Sequence, residues 1–452
     1  MNRQEAEDYV YSSYLKAEKH WDYNAKDSVK RRPDLTYELL RRKSVSPAVV
    51  ITGSKGKGSV ANMLSCLLKD RYKVGLFTSP HITDFNDRFR IDGEKISDDD
   101  FAKYMTLIKP ELDEIEKTLP EDVCISPIGI QADLALTYFN DMGTDFNVIE
   151  CGKGAEFDDA NNAKHEYAVI NSIFLEHTRE LGKTLEEIAR DKSHVITGEQ
   201  KCVYVAPQKP EVMKVILDRA DSLGVTLKEY GKDFMATNVR YSQGGMIFDV
   251  VIGEALFRDI TIPLLGVHQA RNCALAMAAA ADILGGIDSL NGLDSFDDSL
   301  DGFNGLDEDM ARRELQKLSY PGRMEVISRN PFMILDACIN SASCQNVIDV
   351  LKSYEIEKAT VIIGIPDDKD YAGVARMMKS LADTVIITKS GNPHYVFSPS
   401  KQCEELEKEG IKAIPTASVK DAIEKAKAIG KPAVILGTTS VISEVTKLKE
   451  HI

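Results

Sequence analysis

The stretch AVVITGSKGKGSVANMLSCLLKD, residues 48–70, decides the fold. AVVIT is a short apolar, β-branched run, the pattern of a strand buried on both faces. GSKGKGS (53–59) comes next, and its glycines let the backbone curl so that successive N–H groups converge. VANMLSCLLKD then carries apolar residues at helical spacing. Strand, glycine turn and helix in that order make an anion cradle. N–H groups and the positive helix end face phosphate oxygens, while Lys57 adds a point charge. Gly53, Gly56 and Gly58 shape the turn, and Ser59 stands where a hydroxyl reaches Mg²⁺ or a phosphate. The spacing departs from G-x-x-x-x-G-K-[ST], because Gly58 intervenes between Lys57 and Ser59. Alone, the loop indicates a nucleoside triphosphate and nothing finer.

Working outward, KVGLFT (73–78), FNVIEC (146–151) and YAVINSI (167–173) repeat the strand pattern, with helical stretches near 98–118, 129–142 and 184–197. This alternation predicts an α/β fold with a parallel sheet. VTLKEY, MATNVRY, GMIFDVV and ALFRDITI crowd residues 225–262 between turn residues and predict a small antiparallel section, before a helix at 268–284. FMILDA, ATVIIGI, TVIITK and PAVILG restart the alternation in a second, smaller Rossmann-like α/β domain. The expected division is a helical leader packed on the first domain (1–45), a nucleotide-binding domain (46–284), an acidic Gly/Asp/Ser-rich linker (285–322) and the second domain (323–452). The linker's Asp residues lack the spacing and terminal Glu of a calcium loop. Two α/β domains place a ligand cleft at their junction.

The 71 acidic and 56 basic residues give a formal charge of −15, which disfavours general binding to nucleic acid or an anionic membrane. No apolar run is long enough for a signal peptide or a membrane span, so a cytoplasmic protein is expected. No pair of the eight cysteines has C-x-x-C spacing, and reduced, buried thiols are the expectation.

The loop and the segment VGLFTSPHITDFNDRFRIDGEKIS downstream of it resemble the folylpolyglutamate synthase branch of the Mur ligase superfamily. The likeness continues through VIECGKGAEFDDANN, SIFLEHTRELGKTLEEIARDKSHVI, GVHQARNCALA, PGRMEVI, DDKDY and GTTSVISEV, in family order over residues 48–446. The resemblance implies an ATP-dependent acid–amino-acid ligase. It phosphorylates a carboxylate, and an amine then displaces phosphate from the acyl phosphate. Such chemistry rests on positioning and charge neutralisation more than on acid–base work. By resemblance, Lys57 and Ser59 hold the phosphates of ATP and a first Mg²⁺, with Ser79 and Glu150 as further ligands, and His177 serves a second Mg²⁺. Lys192 matches a lysine often carbamylated in these enzymes. His268, with Gln269 and Asn272, matches the adenine-facing helix start. Arg323 matches an interdomain arginine that reaches the phosphates, and Asp336 an acidic residue of the second domain. The implied partners are a small carboxylate and an amino acid, and the implied state is a monomer. His81 stays a motif member without a role.

Three positions depart from the family pattern. D-G-A-H-N-P reads DACINS (336–341), so Ile339 replaces a histidine and cannot donate to phosphate. An aromatic–Glu pair is replaced by SPIGIQ (126–131), which has no carboxylate. G-L-G-G-R reads GKGAE (152–156), with Glu156 for an arginine. The last two leave the acceptor open between a folate and another carboxylate. Ile339 favours a different class, an ATP-binding regulatory homologue without catalysis, against which stand Lys57, Glu150, His177 and Lys192.

Overall fold

The computed structural model describes residues 1–22, 26–242, 244–290, 305–393 and 395–449. Ala48–Thr52 is a strand with every residue buried, and alternation explains why Ala48–Ile51 are all apolar. Val49 and Ile51 enter a core with Val60, Leu64 and Leu67 of the following helix, whereas Ala48 and Val50 enter a second core beyond the sheet. Full burial of each such Val or Ile contributes about 1.5–3 kcal/mol relative to exposure.

That strand lies inside an eight-stranded sheet. From one edge the order is Glu94–Lys95, Phe89–Ile91, Val74–Phe77, Phe146–Glu150, Ala48–Thr52, Tyr167–Ile170, Cys202–Val205 and Leu227–Glu229. Six strands run parallel, and the first two named are antiparallel additions. The chain leaves Ala48–Thr52 toward one edge and later returns to build on its other side. The carboxyl end of this strand is therefore a topological switch point, where open α/β sheets form ligand crevices.

The expected antiparallel section exists as Phe234–Ser242, Gly245–Ile252 and Ala255–Ile262. VTLKEY is not part of it: Leu227–Glu229 pairs parallel with Cys202–Val205 and extends the large sheet. The helix expected at 184–197 ends at Ser193, and the one expected from 268 spans Val267–Leu290. Within the acidic stretch, residues 291–304 lie outside the described residues. Glu308–Leu315 is a helix capped by Asp307, with Met310, Ala311 and Leu315 buried in the first core. The second domain carries a six-stranded sheet in the order Glu325–Arg329, Phe332–Asp336, Ala433–Gly437, Ala359–Gly364, Ala382–Ile387 and Ala413–Pro415, parallel except for its first hairpin.

The leader docks through its helix Arg3–Ala17, started by an Asn2–Glu5 capping box. Tyr9 donates to Asp113 at 2.8 Å and Ser13 to Glu116 at 2.6 Å, both on the helix Asp98–Glu116. All eight cysteines are free, seven of them buried. Among the described residues no helix is long and apolar enough to cross a membrane.

Candidate active site

Register puts the parts of the site side by side. Ile51 pairs with Glu150 on one side, and Thr52 with Ile170 on the other. The loop after Thr52 therefore rises between Glu150 and Asn171. Gly53 has φ of +137°, and a Cβ there would lie 2.8 Å from the Asn171 side chain. Gly56, at φ +78°, caps the helix Lys57–Leu68, and a Cβ on it would meet Asn171 and Asn272. Only glycine tolerates both the backbone and the crowding.

Two ammonium groups converge on one carbonyl. Lys57 Nζ donates to Gly53 O at 2.9 Å, and Lys192 Nζ donates to the same oxygen at 3.1 Å. Lys192 is fully buried and also reaches Lys153 O at 2.7 Å and Glu176 Oε1 at 3.2 Å. Its three N–H donors thus meet three acceptors. Burial first, and Lys57 second, push its pKa down to about 8. As an ammonium the side chain is fully paired in this cage.

Opposite stands Glu150, 3% exposed, with Oε2 accepting the Ser79 N–H at 3.0 Å. Burial pushes its carboxyl up to about 7, against the opposing pull of Lys57 and the Ser79 hydrogen bond. A buried carboxylate raised this far is a place for a cation. Ser59 is buried on the loop helix, and Ser59 and Ser79 line the same cleft, so hard oxygen donors that suit Mg²⁺ are present. His177 is exposed at the cleft rim with φ of +46°, and partial loss of water around its ring lowers its pKa. Among the described residues no three His, Cys, Asp or Glu side chains gather as a metal cluster.

The remaining predicted residues line the same cleft, a cavity of about 1640 Å³ between the domains. Asn171 Nδ2 donates to Asn272 Oδ1 at 3.0 Å, and Asn272 Nδ2 to Gln269 Oε1 at 3.1 Å. His268 has a buried Nδ1 without a partner, and burial pushes its pKa to about 4, leaving a neutral ring at the cleft wall. The Arg323 guanidinium lies 5.3 Å over the Tyr320 ring. Burial opposes its charge, but Tyr320 and Asp336 more than offset this, so its pKa is raised. Asp336 accepts the Met324 N–H at 2.9 Å, which ties the arginine's backbone to the second sheet. Ile339 lines the cleft beside Asn340 and Ser343.

Sequence reasoning missed three groups. Glu176 is the counterion of Lys192. Tyr320 lies between Arg323 and the loop. Arg88 is buried with neutral partners, Gln131 Oε1 at 2.8 Å, His81 Nδ1 at 3.1 Å and the Phe85 ring at 5.1 Å. His81 thereby gains a role as acceptor, and burial takes its pKa to about 4. Arg88 ends the 3-10 turn Phe85–Arg88, and nothing in that polar run signals its burial. At the cleft's far end stand Tyr11, Tyr14, Trp21, Cys124, Pro127 and Ile128.

The Mur ligase middle domain matches residues 51–280, and the Mur ligase glutamate ligase domain matches residues 322–440. The chain is 29% identical over 410 residues to a probable bifunctional folylpolyglutamate synthase/dihydropteroate synthase of Haloferax volcanii, covering 88% of this chain and 45% of that one. It therefore spans about half the length of this relative. Against the dihydrofolate synthase/folylpolyglutamate synthase of Bacillus subtilis it is 25% identical over 429 residues, covering 94% and 95% of the two chains. A Mycobacterium tuberculosis folylpolyglutamate synthase solved with ADP and AMPPCP shares the fold, with a TM-score of 0.79 at 24% identity over 97% of this chain and 98% of that one. With the middle-domain match alone extending over half its length, the chain belongs to the Mur ligase family, where its relatives are folylpolyglutamate synthases.

Proposed function

We propose that the chain is an ATP-dependent carbon–nitrogen ligase of the folylpolyglutamate synthase type, joining a carboxylate to an amino acid. The observation that carries this reading is the convergence of Lys57 and Lys192 on the Gly53 carbonyl, across the loop from the buried Glu150. Two cations sharing one acceptor repel each other, and an incoming polyanion relieves that repulsion.

In this reading Gly53, Gly56, Lys57, Gly58 and Ser59 take the triphosphate. His268 and Asn272 face the base, and Arg323 closes on the phosphates from the second domain, whose Asp336 fixes the backbone beside it. Ser59, Ser79 and Glu150 hold one Mg²⁺ and His177 contributes to a second. The metal, when bound, neutralises triphosphate charge. A carboxylate oxygen of the acceptor attacks the γ-phosphorus, and the bond to ADP breaks. The amine nitrogen then attacks the acyl carbon, the carbon–oxygen bond to phosphate breaks, and the amine's surplus proton passes to solvent. Lys192 serves as an ammonium that fixes the loop and adds positive field, not as a carbamate.

The far end of the cleft supports a ring-bearing acceptor acid. Its wall is aromatic and apolar, and the polar groups of SPIGIQ are already engaged: Ser126 caps its helix and donates to Asp159, while Gln131 accepts from Arg88. Arg88, buried and donating to the neutral Gln131 and His81, suits a substrate carboxylate.

Phosphate release from ATP, measured over a panel of carboxylates and amino acids, tests the proposal. Release stimulated by one acid–amine pair is expected, and a reduced folate with glutamate is the first pair to try. No stimulation by any pair would replace the ligase with an ATP-binding regulatory protein.

A further inference from the structure

We propose that Tyr320 is a positioning residue whose hydroxyl, wedged against Gly58, holds the Arg323 guanidinium over the phosphate loop. The proposal rests on the ATP-binding reading above. It also explains the sequence oddity of the loop, the glycine inserted between Lys57 and Ser59.

A Cβ on Gly58 would lie 2.1 Å from the Tyr320 hydroxyl oxygen, 3.1 Å from Cζ and 3.3 Å from Glu150 Oε2. No side chain fits there, because the tyrosine fills the place from the interdomain segment. Tyr320 is 6% exposed and packs with Leu315 and Leu318 in a core cluster that both domains share. Its ring cannot swing away without opening that core.

Two and four residues on, the chain is anchored to the other domain. Gly322 turns with φ of +67° against Ile442, and its carbonyl accepts the Ala337 N–H at 2.9 Å. Met324, at φ +53°, donates its N–H to Asp336. Arg323 therefore has its backbone fixed to the second sheet and its side chain sent back to the first. There the guanidinium lies over the Tyr320 ring, and the tyrosine is the largest of the neighbours that favour its charge. Without the hydroxyl oxygen, Asp336 of the second domain and Glu150 beside the loop are the attractions left, and the guanidinium loses the contact that sets its place between them.

The test uses the full chain and three readouts: calorimetric titration with a non-hydrolysable ATP analogue and Mg²⁺, kcat and KM in turnover, and thermal unfolding without nucleotide. Tyr320→Phe is expected to lower kcat and analogue affinity by about tenfold, the loss of one charge-assisted hydrogen bond. KM for the acceptor acid stays unchanged, and the unfolding temperature moves little. Gly58→Ala is expected to lower the unfolding temperature by clashing with the hydroxyl. Adding Tyr320→Phe to it restores that temperature, since the remaining contact at Cζ yields to a small shift. If the wild-type chain fails to bind the analogue, the ATP reading falls and this proposal with it. If it binds and Tyr320→Phe matches it in kcat and affinity, only the role of Tyr320 falls. Additive effects of the two substitutions on unfolding overturn the pairing of Tyr320 with Gly58.

Discussion

Glu150→Gln sets stability against function in a way that can be worked from the structure. The carboxyl has an ordinary pKa of 4.5 and is pushed by burial to about 7 in the folded chain. A raised folded value means that the native state keeps the proton longer than the unfolded state does. The penalty is thus absent below about pH 4.5, grows as pH rises, and is complete above about pH 7. At about 1.4 kcal/mol per tenfold, the rise from 4.5 to about 7 costs the metal-free protein about 3 kcal/mol above neutral pH. Glutamine cannot ionise and keeps an acceptor for the Ser79 N–H. Its amide donors face Lys57 and Arg323, at a cost of about 1 kcal/mol. The variant is expected to be more stable than the wild type by about 2 kcal/mol above pH 7, with the advantage fading toward pH 5. Denaturant unfolding of both proteins with a chelator present, from pH 5 to pH 8, measures this. The same variant is expected to lose Mg²⁺-dependent turnover. A stability difference that ignores pH, or a variant less stable than the wild type at pH 8, would refute the reasoning.

Lys57→Ala is expected to lower substrate-stimulated phosphate release by about a hundredfold or more, and near-normal release would remove the loop from the chemistry. Lys192→Met leaves Gly53 O, Lys153 O and Glu176 without their shared donor, so a loss of about 3 kcal/mol in unfolding free energy is expected. Activity that is unchanged by removing or adding bicarbonate is the matching result for an uncarbamylated Lys192. Ile339→His is expected to leave nucleotide affinity intact by calorimetry, and a drop would show that the residue sits closer to the phosphates than proposed.

The strand–loop–helix at 48–70 was readable because each part carries its own local signal: a two-sided apolar run, glycines at positive φ, and helical spacing. Glu150 and Asn171 were half readable. Both close apolar runs, and register brings those ends together beside Thr52. The assignment of VTLKEY failed because a three-residue strand has no period to read, and its parallel partner Cys202–Val205 is distant in sequence. The helix Glu308–Leu315 was hidden in the same way, since its acidic residues look like linker while only Met310, Ala311 and Leu315 meet the core. Lys192 illustrates the limit of resemblance. The motif singled out the residue, but only the fold shows three acceptors closing around its ammonium. Tyr320 and Arg88 depend on contacts across elements, which no spacing encodes.

Part of the cleft's far end comes from a separate length of chain. Tyr11, Tyr14 and Trp21 belong to the leader, Cys124, Pro127 and Ile128 complete that end, and the residues named around the phosphate loop all lie beyond Ala48. Grafting the leader segment from a homologue onto this body is therefore a way to redirect which acid is accepted without rebuilding the energy-coupling half. Divergence by drift has the same economical route open to it, because a poor first segment leaves the nucleotide grip whole.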